Sequence, residues 1–299
     1  MSIGVEHEAP RADAGPGFSD AVTFAFGDSA AAVYGIARVG LAGGGGSGLA
    51  VLFADSEAVA ASAEGAVKVD VHAWESVRAA GVSTTVQAPL QAWTADYEGD
   101  EAGFALRFEA VSAPAVLQAD APVARAGGMQ GYEQLCAVTG TARIGAREVR
   151  IDCLGQRGHL WGTPDWERIE LARTLCAWLG EDRAVTLTAV RPAAASNHAD
   201  EEIAAWLLEG GEPVAVADPR LSTTYDARLR QRRAGLELWS DDEGAFARRA
   251  AGEVLCGTTL DLGRLRLDTA FFAWRMEGRT GVGRYDVLRR SGGSDGDHA

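Results

Sequence analysis

The stretch REVRIDCLGQRGHLWGTPDW, residues 147–166, decides how this chain is read. Its first half alternates. Val149, Ile151 and Cys153 oppose Glu148, Arg150 and Asp152. Period-two alternation is the mark of a strand with one buried face. A strand that runs on through residue 161 sends Arg157, His159 and Trp161 to one side and Gln156, Gly158 and Leu160 to the other. A cation, an imidazole and an indole then form a ladder with steps of about 6 to 7 Å. Pro164 ends the run, because proline cannot donate to a sheet ladder.

The same period recurs along the chain. Val22, Phe24 and Phe26 share a face, as do Val67, Val69 and Val71, and Phe104, Leu106 and Phe108. Turn signals punctuate these runs: Gly145-Ala146 as a two-residue hairpin turn, GDEAG at 99–103, SDDEG at 240–244 and EGRTG at 277–281. GGGGSG at 43–48 fits the dinucleotide fingerprint G-x-G-x-x-G in form only. The strand-like LAVLFAD follows it where a helix is needed, so a hairpin loop is predicted. DEEIAAWLLE (200–209) and GAFARRAAGEVL (244–255) have helix-friendly composition but are read as strands, like their neighbours. The pattern predicts an all-β protein, an antiparallel sandwich or barrel.

VSAPAVLQADAPVARAGG (111–128) breaks the alternation with two prolines and a closing glycine pair. It places a domain boundary near residue 128, between a domain over 18–128 and a second over 129–290. Residues 1–17 and the tail 291–299 are polar, small and glycine-rich, and are predicted to be disordered.

Bulk properties exclude several functions. The 299 residues carry a net charge of −14, which disfavours nucleic acid and anionic membrane surfaces. No stretch is apolar for the length of a bilayer span. The N-terminus lacks the apolar core of a signal peptide, which predicts a cytoplasmic location. Cys136, Cys153, Cys176 and Cys256 show no paired spacing and read as reduced, buried thiols. The histidines at 7, 72, 159, 198 and 298 are scattered, so no metal site is expected, and no cofactor either. There is no G-x-S-x-G elbow. RLRQRR (228–233) reads as a solvated strand end or turn, and Trp93 and Trp274 as core.

The ladder has two readings. In the structural one, Arg–Asp pairs and corner tryptophans tie a loop to a barrel end, and His159 is a hydrogen-bonded core residue. In the functional one, the ladder lines a cavity. His159 then exchanges protons, Asp165 reaches back to Arg157 or His159, and Trp161 holds a developing cation, worth on the order of 2 kcal/mol when desolvated. His198, in RPAAASNHADEE, is placed to cap the same cavity, with Glu201 or Glu202 beside it.

These residues carry a family likeness. Tyr132, Glu133, Gln134, Gly140, Gly155, Arg157, His159, Trp161, Gly162, Asp165 and Trp166 form a pattern that resembles the carotenoid hydratase (hydroxyneurosporene synthase)-like superfamily. That superfamily includes lipocalin-like Diels–Alderases and fungal lipid-associated survival factors. The resemblance implies two lipocalin-like β-domains in tandem. It also carries over His159 and Trp161 as catalytic positions, with Asp165 beside them. Arg157, Trp166, Tyr132, Glu133 and His198 are the expected ligand-binding residues. Relatives usually read R-D-H-S-W-G-x-R-D-W; here Gly158, Leu160 and Pro164 replace the first aspartate, the serine and the second arginine. The downstream Tyr-x-Asp of the hydratases is missing from VTLTAV (185–190), and Tyr225-Asp226 are adjacent.

Three functions fit. The chain is a carrier for an isoprenoid, lipid or polyketide-like molecule, held in a barrel or inter-domain cavity. Or it is a hydratase, isomerase or cyclase using that cavity. Or it is a structural or interaction protein with a filled core.

Overall fold

The structure, a computed structural model, describes residues 3–12, 14–195, 200–241 and 246–291. The first strands are β1 (Ser19–Asp28), β2 (Val33–Ala42), β3 (Gly45–Ala54), β4 (Glu57–Lys68), β5 (Val82–Ala88), β6 (Ala92–Glu98) and β7 (Ala102–Ala110). They are followed by β8 (Ala115–Leu117), a short helix α1 (Pro122–Gly127), β9 (Met129–Ile144) and β10 (Arg147–Gly162). These strands form one antiparallel sheet in the order β4-β3-β2-β1-β10-β9-β7-β6-β5, with β8 paired to β9. The second sheet holds β11 (Ile169–Gly180), β12 (Arg183–Pro192), β13 (Glu202–Glu209), β14 (Glu212–Ala215), β15 (Asp218–Tyr225), β16 (Gln231–Trp239), β17 (Arg248–Asp261), β18 (Leu265–Met276) and β19 (Arg279–Arg290). Its order is β14-β13-β12-β11-β19-β18-β17-β16-β15. The molecule is all-β, two curled antiparallel half-barrels in tandem.

Turn chemistry explains the pairing. Ile144 pairs with Arg147 across Gly145-Ala146, and Gly145 takes a φ of 58°. Gly43 and Gly44 turn β2 into β3 at φ 57° and 74°, so the glycine run is a hairpin turn. Residues 202–209 and 248–255 are strands despite their helix-friendly composition. Their side chains pack into the second sheet's core, and tertiary packing overrides weak local propensity.

Four expectations are corrected. The chain does not change sheets near residue 128: β9 and β10 complete the first sheet, and the crossing falls between Gly162 and Ile169. The stretch 111–128, read as the break between domains, instead holds β8 and α1. Pro122 opens that helix and Gly128, at φ 64°, closes it. The strand expected through residue 71 stops at Lys68, leaving Val71 exposed. Residues 3–12 are ordered, with Glu8 in the core, because one carboxylate finds a buried partner. The tail 292–299, and residues 242–244 of the SDDEG turn, lie outside the described residues.

Each sheet encloses its own core. Phe24, Phe26, Trp93 and Phe108 anchor the first; Leu236, Phe272, Trp274 and Tyr285 anchor the second. A third cluster lies between the sheets, where Tyr34 and Phe53 meet Phe271 at ring separations of 5.4 and 6.0 Å. Gln156 ties the two halves, accepting from Trp178 Nε1 at 3.2 Å. The four cysteines are free, and burial pushes each thiol up to about 12, which keeps them protonated and inert.

Candidate functional site

Strand parity holds along β10. Arg157, His159 and Trp161 share the face that looks into the first half-barrel, opposite Phe24, Val22 and Asp20 of β1. Tyr132 on β9 pairs with His159, and Gln134 with Arg157. All these residues are buried, Arg157 at 2% and His159 at 0% exposure.

Here the structure differs from the functional reading of the ladder, because the space before these rings is filled. The N-terminal segment crosses the mouth of the half-barrel and inserts Glu8. Its carboxylate accepts from Arg157 Nη1 at 2.7 and 3.0 Å and from Nη2 at 2.8 Å. It also accepts from the Tyr132 hydroxyl and from Trp93 Nε1. Gln134 Oε1 takes a further Arg157 hydrogen at 2.5 Å. Burial pushes the Tyr132 phenol up, which keeps it a donor.

His159 is equally engaged. Its Nε2 lies 2.7 Å from Asp20 Oδ1 and its Nδ1 lies 2.9 Å from the His7 carbonyl. Both ring nitrogens are thus engaged, one by a carboxyl oxygen and one by a backbone carbonyl. Trp74 and Tyr132 meet it edge-on at 5.3 and 5.8 Å. Trp161 lies 4.8 Å from the imidazole and is capped by the Arg11 guanidinium, 4.5 Å above its ring. This is a packed network of ion pairs and rings.

Asp165 is corrected too. It is exposed and does not reach Arg157 or His159. Its carboxylate accepts from the Glu167 amide at 3.0 Å, a local turn contact favoured by a short side chain. Asp20, which sequence reasoning missed, takes the place beside His159. His198 lies outside the described residues, and Glu201 is paired with Arg173.

The opposite face of the same strand borders a cavity. A space of about 360 Å³ lies between the two sheets, walled by Ala21, Thr23, Arg38 and Leu160 from the first and by Thr174, Thr188, Leu267, Leu288, Arg284 and Asp286 from the second. Trp166, the one expected ligand-binding residue among the described residues that reaches it, closes one side with Val123 of α1. Most of the lining is aliphatic. The polar groups form two short rows across the strands: Thr23 beside Arg38, and Thr188, Thr174 and Asp286 in sequence.

Asp286 is held by Thr269 Oγ1, which donates at 2.6 Å, and faces Arg284 Nε at 3.3 Å. Burial pushes its carboxyl up, with Arg284 and the Thr269 hydroxyl pulling the other way. Glu133 lies on the cavity side of β9 but just behind the wall. The Thr186 hydroxyl donates to it at 3.3 Å, and burial pushes it up to about 7 against the pull of Arg284. Gly158 makes room for it, since a Cβ there would stand 3.3 Å from Glu133 Oε1. The relatives' aspartate at that position would set a second carboxylate against the first. Leu160, where relatives carry serine, makes the wall more apolar.

Arg38, Arg284 and Asp286 escaped sequence reasoning. Each occupies the polar position of an alternating strand, where it resembles a solvated face. Only the second sheet lying over them makes them a wall.

The architecture matches solved structures over nearly the whole chain. CghA crystallised with Sch210972 superposes with a TM-score of 0.68 at 12% identity, covering 92% of this chain and 89% of that one. Kievitone hydratase from Nectria haematococca superposes with a TM-score of 0.67 at 11% identity, covering 97% and 93%. These likenesses bear out the tandem lipocalin-like fold. No curated protein matches the sequence. The family described as "Domain of unknown function (DUF7064)" matches residues 4–290.

Proposed function

The chain belongs to the DUF7064 family, whose description leaves function open, and we propose that it binds a hydrophobic small molecule between its two sheets. The observation that carries this reading is a contrast. Both half-barrel interiors are packed, whereas the space between the sheets is a mostly aliphatic cavity of about 360 Å³. Small-molecule sites are concave and apolar, with a few placed polar groups, at about 300–1,000 Å³. An isoprenoid, lipid or polyketide-like body suits such walls. The names of two similar structures, one a hydratase and one crystallised with Sch210972, support a bound ligand.

The His159–Trp161 ladder then acts as scaffold. It holds the mouth of the first half-barrel shut and stiffens the strand whose other face forms the wall. A catalytic reading, hydration, isomerisation or cyclisation, is favoured by Asp286 alone, an acid at the wall that burial biases toward its protonated form.

Solvent extraction of the purified protein followed by mass spectrometry tests the binding reading. A defined apolar compound is expected from the wild type and not from Leu160→Trp, which fills the cavity. Equal recovery from both proteins would refute it. Turnover abolished by Asp286→Asn with binding retained would establish the enzyme.

A further inference from the structure

Arg38 is a cation without a partner. It lies on β2, opposite Thr23 of β1 and Leu49 of β3, and its side chain borders the cavity. It makes no hydrogen bond or ion pair with any described residue. Arg38 is half-buried, whereas the fully buried arginines among the described residues are matched: Arg157 by Glu8, Arg173 by Glu201, Arg284 by Asp286. The nearest negative charge felt by Arg38 is Asp20. That carboxylate belongs to the other face of β1, where His159 and the Arg11 amide occupy it at 2.7 and 2.6 Å. Burial accordingly pushes the Arg38 guanidinium down, with Asp20 only partly countering.

A half-buried guanidinium that borders an apolar cavity with no counter-ion is poorly compensated, and an anion brought to it improves that balance. Its planar fork matches a carboxylate in particular. The Thr23 hydroxyl is the neighbouring donor across the strand pair. The second cationic side chain of the cavity, Arg284, is already paired with Asp286, which leaves Arg38 as the unpaired cation of the wall among the described residues. That balance suits a monoanion better than a phosphate. The aliphatic walls formed by Leu160, Leu267 and Leu288 receive the rest of the molecule.

We infer that the cavity takes an amphipathic carboxylic acid, with its carboxylate on Arg38 beside Thr23 and its hydrocarbon body between the two sheets. This rests on the reading of the cavity as a ligand site. It narrows the ligand from any apolar molecule to an acid.

The test compares dodecanoate with dodecanol at pH 8, by displacement of the neutral dye Nile red from the full-length protein. Wild type, Arg38→Met, Arg38→Gln and Leu160→Trp are measured, and thermal melting confirms folding of each. The wild type is expected to bind dodecanoate about tenfold or more tightly than dodecanol, as a charge-assisted pair at the wall of an apolar cavity provides. Either Arg38 variant should lose that preference while holding dodecanol as the wild type does. Acid preference that survives in both folded Arg38 variants overturns the inference. So does wild-type binding of dodecanol with no preference for the acid, which leaves the cavity reading standing. If the wild type takes up neither probe and no dye, or Leu160→Trp binds as the wild type does, the cavity reading itself fails.

Discussion

Replacing Glu8 by alanine strips the Arg157 guanidinium of its counter-ion in a place where water does not reach. Glu8 and Arg157 are 3% and 2% exposed, and the carboxylate also satisfies Tyr132 and Trp93. Breaking a buried pair by removing one member costs about 3–5 kcal/mol, mostly from the orphaned charge. At about 2–4 °C per kcal/mol for a chain of this order of size, the melting temperature should fall by about 6–20 °C. Urea unfolding at equilibrium, followed by tryptophan fluorescence and circular dichroism, gives the free energy directly. Glu8→Gln keeps the shape and isolates the charge. The double variant Glu8→Leu/Arg157→Met should regain most of the loss, because replacing both members of a buried pair with apolar groups is often nearly neutral. A loss below about 1 kcal/mol for Glu8→Ala is what a solvated pair would give, and it would refute the view that the N-terminal segment is part of the core.

Two further outcomes concern other carboxyl groups. Glu133 titrates at about 7 in the folded protein against an ordinary 4.5, so between those values the folded state keeps a proton that the unfolded chain releases. Its contribution is therefore full below about pH 4.5 and lost as pH rises through about 7. At about 1.4 kcal/mol per tenfold change in proton affinity, the loss is about 3 kcal/mol, and Glu133→Gln should lack that pH dependence in parallel denaturation series. Asp165→Ala should change stability by no more than about 0.5 kcal/mol, whereas Asp20→Asn, which robs His159 of its carboxylate, should cost about 2–5 kcal/mol. The reverse order in chemical denaturation would return Asp165 to the place the sequence suggested for it.

The strands were legible because alternation is a local signal. Val149, Ile151 and Cys153 reveal the inward face of β10, and the same parity carries to His159 and Trp161 without any knowledge of the rest of the fold. What lies before those rings was not legible. Glu8 reaches Arg157 across 149 residues of sequence, and a polar, proline-bearing segment reads as disordered when its one decisive partner is that far away. The cavity wall was hidden for a related reason. Thr174, Thr188, Arg284 and Asp286 alternate with core residues just as solvent-facing positions do, and pattern alone does not tell water from a second sheet. The family motif marked the strand whose opposite face borders the cavity, because a strand positions whatever stands on either face.

The shared wall has a consequence for the molecule as a whole. A guest that touches both sheets acts as mortar between two bricks, since binding to the assembled form alone draws the equilibrium toward it. Occupied, the halves are bound to melt as one. Emptied, they are joined by the Tyr34–Phe53–Phe271 seam and the Gln156 bridge, so the protein's unity in the heat registers whether its guest is at home.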